Sequence, residues 1–174
     1  MMNKHFEREI KGFSKEELIR YADFQAYNWW NLQGNWMQQM SERYGTEIAT
    51  EFDTLIWDRS GKVQAWKLKE LLDLDGDMKG LIKAITLSTV FSNVEFEIPE
   101  LDEKRARLLI TRCTMQLNRR KAGLPELPCK EPGITCVEGF ATAYNPAIKT
   151  TCLLCPPDAH SETEWCHWKF ELGD

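Results

Sequence analysis

"VEFEIPELDEKRARLLITRC", Val94 to Cys113, is where the chain changes character. Val94, Phe96 and Ile98 alternate with Glu95 and Glu97, the pattern of a half-buried strand. Arg105 to Cys113 reads as a second strand, with Pro99 to Lys104 as the polar connection. Two more strands are predicted downstream, Ile148 to Cys155 and Trp165 to Leu172, joined through Pro156-Pro157. Upstream the apolar spacing is helical. The expected architecture is therefore α+β, with N-terminal helices packed on a C-terminal antiparallel sheet. One domain is expected over residues 1–174, mainly helical to residue 90 and mainly strand from 91.

Before the switch, Ser14 with Glu17 forms a capping box, and Gly45 after Arg43-Tyr44 is a helix stop. Leu18, Ala22, Trp29, Leu32, Trp36 and Met40 fall close to helical spacing between them. Thr46 is placed to cap a second helix carrying Ile48, Phe52, Leu55 and Ile56 and running on through Val63, Trp66 and Leu72. Gly61 is a candidate bend in it. Asp77 is placed to cap a third helix over Met78 to Val90. Beyond Cys113, "NRRKAGLPELPCKEPG" reads as a short helix end and a loop, and "VEGFATAYNP" as a brief helix stopped at Asn145-Pro146.

A net charge of -5 and a pI near 5.3 argue against a nucleic-acid partner, whose footprint is basic. Phe24 to Ser41 carries no charge, but four glutamines and three asparagines exclude it as a membrane span. The N-terminus shows no signal-peptide pattern, so a cytoplasmic location is expected. Seven tryptophans predict large buried aromatic area or an aromatic-lined pocket.

In a reducing compartment, six cysteines point to metal or redox chemistry before disulfides. Cys152-x-x-Cys155 is short enough for both sulfurs to reach one ion. Cys166, by strand alternation, shares a face with Trp168, Phe170 and Leu172 opposite them. Cys129 comes from a proline-flanked loop. Cys129, Cys152, Cys155 and Cys166 are thus a candidate set for zinc, with Cys113 and His160 as alternates, and an iron–sulfur cluster takes the same thiolates. Thiol chemistry is a third reading: a cysteine such as Cys113 as nucleophile with His160 as base, His167 lying on the opposite strand face from Cys166. Pro156-Pro157 offers no backbone N–H to a thiolate, which disfavours a thioredoxin-like pair. Inert buried thiols are the fourth reading.

The segment from "GLPELPCK" to "CHWKFEL" resembles an uncharacterised family of small cytosolic cysteine-rich prokaryotic proteins. The resemblance is carried by Cys113, "LPELPCK" around Cys129, "CLLCPPDAH" and "CHWKF". It extends, more distantly, to the family of L-2-amino-thiazoline-4-carboxylate hydrolase. The latter implies hydrolysis of an amide or amidine ring by a cysteine nucleophile. Cys136 stands outside the shared pattern.

Gln25, Asn28, Trp29 and Trp36, with Asn31 and Asn35, set amides beside large rings and are candidates to bind a planar, polar small molecule. Core packing is the alternative for those rings. Arg112, Arg119, Arg120 and Lys121 form a basic patch suited to a carboxylate or phosphate, unless it is a solvated turn. Asp73, Asp75 and Asp77 have part of a calcium-loop spacing, but the twelfth position is Ala84, which excludes an EF-hand. The expectation is a cysteine-ligated metal protein binding a small organic ligand between helices and sheet. A hydrolase or a metal-free sensing module is the alternative.

Overall fold

A computed structural model describes residues 3–173. Helix α1, Lys4–Lys11, leads into α2, Lys15–Tyr44, which opens on the Ser14/Glu17 box with both of its bonds made. Gly45, at φ 89°, turns the chain directly into α3, Thr46–Leu71, and serves as its N-cap, so the Thr46 hydroxyl does not. Asp77 caps α4, Met78–Leu87, by accepting from the Gly80 N–H at 2.7 Å. After a single 3-10 turn, Thr89–Phe91, come β1, Val94–Leu101, and β2, Arg105–Cys113. Helices α5, Thr114–Lys121, and α6, Lys130–Tyr144, precede β3, Ile148–Leu154, and β4, Cys166–Leu172.

The fold is α+β, as the pattern predicts. Two antiparallel hairpins join through β2 and β4 into one four-stranded sheet of order β1-β2-β4-β3. Met78, Leu81 and Ile85 of α4 and Phe140 and Tyr144 of α6 bury against Leu108, Ile110, Trp168 and Phe170 of the sheet. No helix among the described residues is long and apolar enough to cross a membrane.

Local departures from the sequence pattern have identifiable causes. Gly61 does not bend α3. A Cβ there would lie 2.7 Å from the Cys136 carbonyl oxygen, so glycine lets α3 and α6 approach closely. Helix α6 begins at Lys130, seven residues before the expected Val137, because Pro132 in the first turn loses no helical hydrogen bond. Helix α4 stops at Leu87, short of Val90. There Gln64 Oε1 accepts from both the Thr89 N–H, at 3.0 Å, and the Thr89 hydroxyl, at 2.8 Å. Strand β1 continues through Pro99 to Leu101, since an edge strand tolerates a proline at a register shift. That shift turns Glu100 toward Arg107, 3.0 Å away, and leaves Ile98 exposed.

Candidate functional site

Where α2, α3 and the start of α6 meet the ends of the central strands, the layers border a partly open cavity of about 140 Å³. Its wall is aromatic and apolar: Trp30, Trp57, Phe91, Trp165, Trp168 and Ile110. Trp29, Trp30 and Trp57 form a cluster of three mutually packed indoles, with ring centres 5.6 Å apart for Trp30 and Trp57, 5.7 Å for Trp29 and Trp57 and 6.4 Å for Trp29 and Trp30. Trp30 Nε1 donates to the Thr89 carbonyl at 2.9 Å, and Trp29 Nε1 to the Thr89 hydroxyl at 2.8 Å. These bonds fix the indoles with their faces available for packing.

The principal polar feature is a pair between α2 and α3. Gln33 Nε2 donates to Asp53 Oδ1, and the Trp57 indole also donates to that carboxylate. Both Gln33 and Asp53 are buried and line the cavity. Desolvation raises the Asp53 pKa to about 6, outweighing the two donors that favour the charged form. Asp53 therefore changes protonation state close to neutral pH.

Gln116, also buried, spends its amide on the backbone. Its Nε2 donates to the Leu127 carbonyl and its Oε1 accepts from the Leu127 N–H, both at 3.0 Å. Nε2 also reaches Cys129 Sγ at 3.2 Å. This clamp presses the loop before α6 against the cavity and sets Cys129 in its wall.

Five of the six cysteines line this cavity: Cys113, Cys129, Cys136, Cys155 and Cys166. Cys155 Sγ and Cys166 Sγ are 3.5 Å apart, and the Cys152 thiol donates to Cys155. The C-terminal sulfurs thus form a chain, Cys152 to Cys155 to Cys166. Among the described residues, no group of three or more His, Cys, Asp or Glu side chains is placed to hold one ion as it stands.

Five of the thiols are shifted toward the neutral form. Burial raises Cys113 and Cys129 and lifts Cys136 to about 12. Cys152 is raised chiefly by donating to Cys155. Cys155 gains from that donation but is raised overall by its own bond to Cys166 and by burial. A thiol is nucleophilic as thiolate, so this environment opposes the activation that cysteine hydrolysis requires.

His160 is engaged elsewhere. Its Nδ1 lies 2.8 Å from the Ser161 carbonyl and its Nε2 3.0 Å from Glu126 Oε2, while its ring packs on Trp165 at 4.6 Å. Both neighbours are acceptors, a geometry that favours the doubly protonated imidazolium. Desolvation opposes that charge, but the Glu126 carboxylate and the Ser161 carbonyl outweigh it and raise the pKa. Arg120 completes the clasp, binding Glu126 and Glu162 and lying over Trp165 at 4.6 Å. His167, in the alternate register position to Cys166, has its pKa lowered by burial.

Gln25, Asn28, Trp29 and Trp36 lie outside the cavity wall. Gln25 is exposed and bonded to Tyr21, Trp29 stacks on Trp30 and Trp57, and Trp36 packs with Met37, Ala49 and Leu127. From α2 and α3, the amide and rings that do line it are Gln33, Trp30 and Trp57. Their signal was present in the sequence, since Trp30 and Gln33 are one helical turn apart, but helical spacing alone leaves the inward face undetermined. The basic patch disperses. Arg112 pairs with Glu95 at 2.9 Å and Arg120 joins the clasp. Arg119 donates to the Pro125 carbonyl at 2.9 Å and borders a second hollow of about 370 Å³. That hollow shares Trp30, Asn93 and Met115 with the first and forms a more polar vestibule beside it.

Among solved structures, the phenol-responsive sensory domain of the transcription activator PoxR, crystallised with phenol, is similar in fold. The TM-score is 0.57 at 17% identity, covering 81% of this chain and 73% of that one. A trafficking protein particle complex subunit 3 from Naegleria fowleri, covalently bound to palmitic acid, gives a TM-score of 0.48 at 8% identity, covering 88% and 96%. No curated protein matches the chain. Residues 11–172 match the model of DUF6125, a family of unknown function, and the chain belongs to that family.

Proposed function

We propose that this protein is a binding domain for a small, mainly apolar aromatic molecule with one hydrogen-bonding substituent. The observation that carries the reading is the size and chemistry of the cavity. An apolar cavity of roughly 150 Å³ accepts a single benzene-sized ring; this one is about 140 Å³ and is walled by indoles. Asp53, oriented by Gln33 and Trp57, supplies the acceptor for a ligand O–H or N–H. The vestibule beside Trp30 and Met115 is the route by which a ring enters. The PoxR sensory domain, similar in fold, is described with a one-ring phenol. Ligand-observed NMR with phenol, aniline and toluene tests the reading. Phenol and aniline bind in preference to toluene, and Asp53→Asn narrows that preference. No binding by any one-ring compound, or binding unchanged in both Asp53→Asn and Trp57→Ala, overturns it.

A second reading is favoured by one distance. Two thiolates on one tetrahedral zinc lie about 3.8 Å apart, given zinc–sulfur bonds of about 2.3 Å. The Cys155 and Cys166 sulfurs are 3.5 Å apart without an ion. Cys152, already in contact with Cys155, and Cys129 would complete the set by turning toward that pair, and such a site would tie the loop before α6 to the sheet. An iron–sulfur cluster draws on the same thiolates. Elemental analysis of protein purified without chelators, wild type against Cys155→Ser, tests this. Equal metal content in the two ends the reading.

A further inference from the structure

Helix α3 has two faces of apolar character, and the cavity uses one of them. On the inward face Ala49, Asp53, Trp57, Gly61 and Ala65 recur every four residues, all buried. On the outward face stand Ile48, Phe52, Leu55, Ile56, Val63 and Trp66, all exposed, with Leu55 at 65% and Trp66 at 55%. At about 100° per residue these six fall within a sector roughly 100° wide. Side chains of Phe52, Leu55, Ile56 and Val63 border a shallow groove along it. Single exposed leucines need no explanation, but a contiguous stripe along a helix marks an interaction surface.

We infer that this face is covered by a second copy of the chain, the two α3 helices packing antiparallel about a two-fold axis close to Trp57. The sequence order on the stripe argues for self-pairing. Ile48 and Trp66 stand nine residues either side of Trp57, while Phe52 and Val63 stand five before and six after. A two-fold axis there sets Ile48 against Trp66 of the partner subunit and Phe52 against the partner's Val63. A two-fold contact requires this kind of matching of a patch to itself.

Charge supports the same occupant. Glu51 stands six residues before Trp57 and Lys62 five after, and both project from the same flank of the stripe. The two-fold axis brings Glu51 of each copy beside the partner's Lys62, producing two symmetric ion pairs. Lys62 already holds Asp58 at 2.6 Å and has donors to spare, while no ion pair is recorded for Glu51 among the described residues. Arg59, the one charge within the stripe, lies opposite the partner's Leu55 and lays its stem along the contact while its head reaches water.

Sedimentation equilibrium on the full chain at micromolar concentration reads the outcome, with circular dichroism confirming the fold of each variant. Wild type is expected to be dimeric. Phe52→Glu with Val63→Glu is expected to be monomeric and folded, both side chains being half-exposed. Glu51→Lys alone should weaken the dimer by about tenfold, and adding Lys62→Glu should recover most of the loss. A monomeric wild type, or a dimer indifferent to the Phe52/Val63 change, overturns the inference. So does failure of the exchanged pair to recover what Glu51→Lys loses. None of these readouts involves the cavity.

Discussion

Gln33 and Asp53 meet between α2 and α3, the amide donating to the carboxylate in a buried contact beside the cavity. This pairing ties the two long helices together where each presents a buried polar side chain to the other. Burial at that place, acting against the Gln33 bond, raises the Asp53 pKa to about 6.

Because its pKa is raised from 3.8 to about 6, the folded protein binds the Asp53 proton more tightly than the unfolded chain. The stability from that proton is complete below pH 3.8 and is lost as pH rises through about 6. Asp53→Asn should flatten this segment of the profile and stabilise the protein above pH 6 by up to about 3 kcal/mol. Urea unfolding at pH 5 and pH 8 checks it. A variant less stable than wild type at pH 8 contradicts the assignment.

The clasp around Trp165 has its own pH signature. His160 has a raised pKa, so its contribution is complete below the ordinary value of 6.5 and fades as pH rises through the raised one. Glu126, lowered chiefly by its bond to His160, contributes above the usual carboxylate range and loses its effect in acid. Proteolysis of the loop from 156 to 164 should therefore accelerate above neutral pH in wild type and run fast at every pH in His160→Gln. Identical pH profiles for the two proteins would show that the imidazolium contributes nothing.

Gly61→Ala is expected to destabilise by about 1–3 kcal/mol, because the added methyl meets the Cys136 backbone rather than a movable side chain. Differential scanning calorimetry reads this directly. Gly34→Ala is the control, since a Cβ there meets nothing within 4 Å.

The thiols should be sluggish. With Cys113, Cys129, Cys136, Cys152 and Cys155 all raised, iodoacetamide should label the native chain at least about tenfold more slowly than the urea-unfolded chain at pH 7. One cysteine labelled faster in the native protein would instead identify an activated nucleophile.

Much of the architecture was legible in the chain itself. The alternation of Val94, Phe96 and Ile98 with Glu95 and Glu97, and the run from Arg105 to Cys113, predicted the first two strands, because side-chain period and burial are tied together within a strand. The Ser14/Glu17 box and the Asp77 cap were equally visible, since each is a bond between residues three apart. The approach of Cys152, Cys155 and Cys166 followed from strand pairing and alternation.

What local pattern lacked was the identity of the inward helix face. Helices α2 and α3 carry large apolar residues nearly all round, so periodicity did not distinguish Gln33 and Trp57 from Gln25 and Trp29. Gly61 read as a bend because its reason, the Cys136 backbone, lies seventy-five residues further on.

The sequence by itself determined the elements, their order and the class of fold, because hydrogen bonds and burial within helices and hairpins depend on near neighbours. Only the tertiary structure decided which side chains share the cavity, that His160 is committed to Glu126, and that the thiols sit in a low-dielectric wall. Those outcomes depend on packing angles between distant segments and on the desolvation that packing imposes.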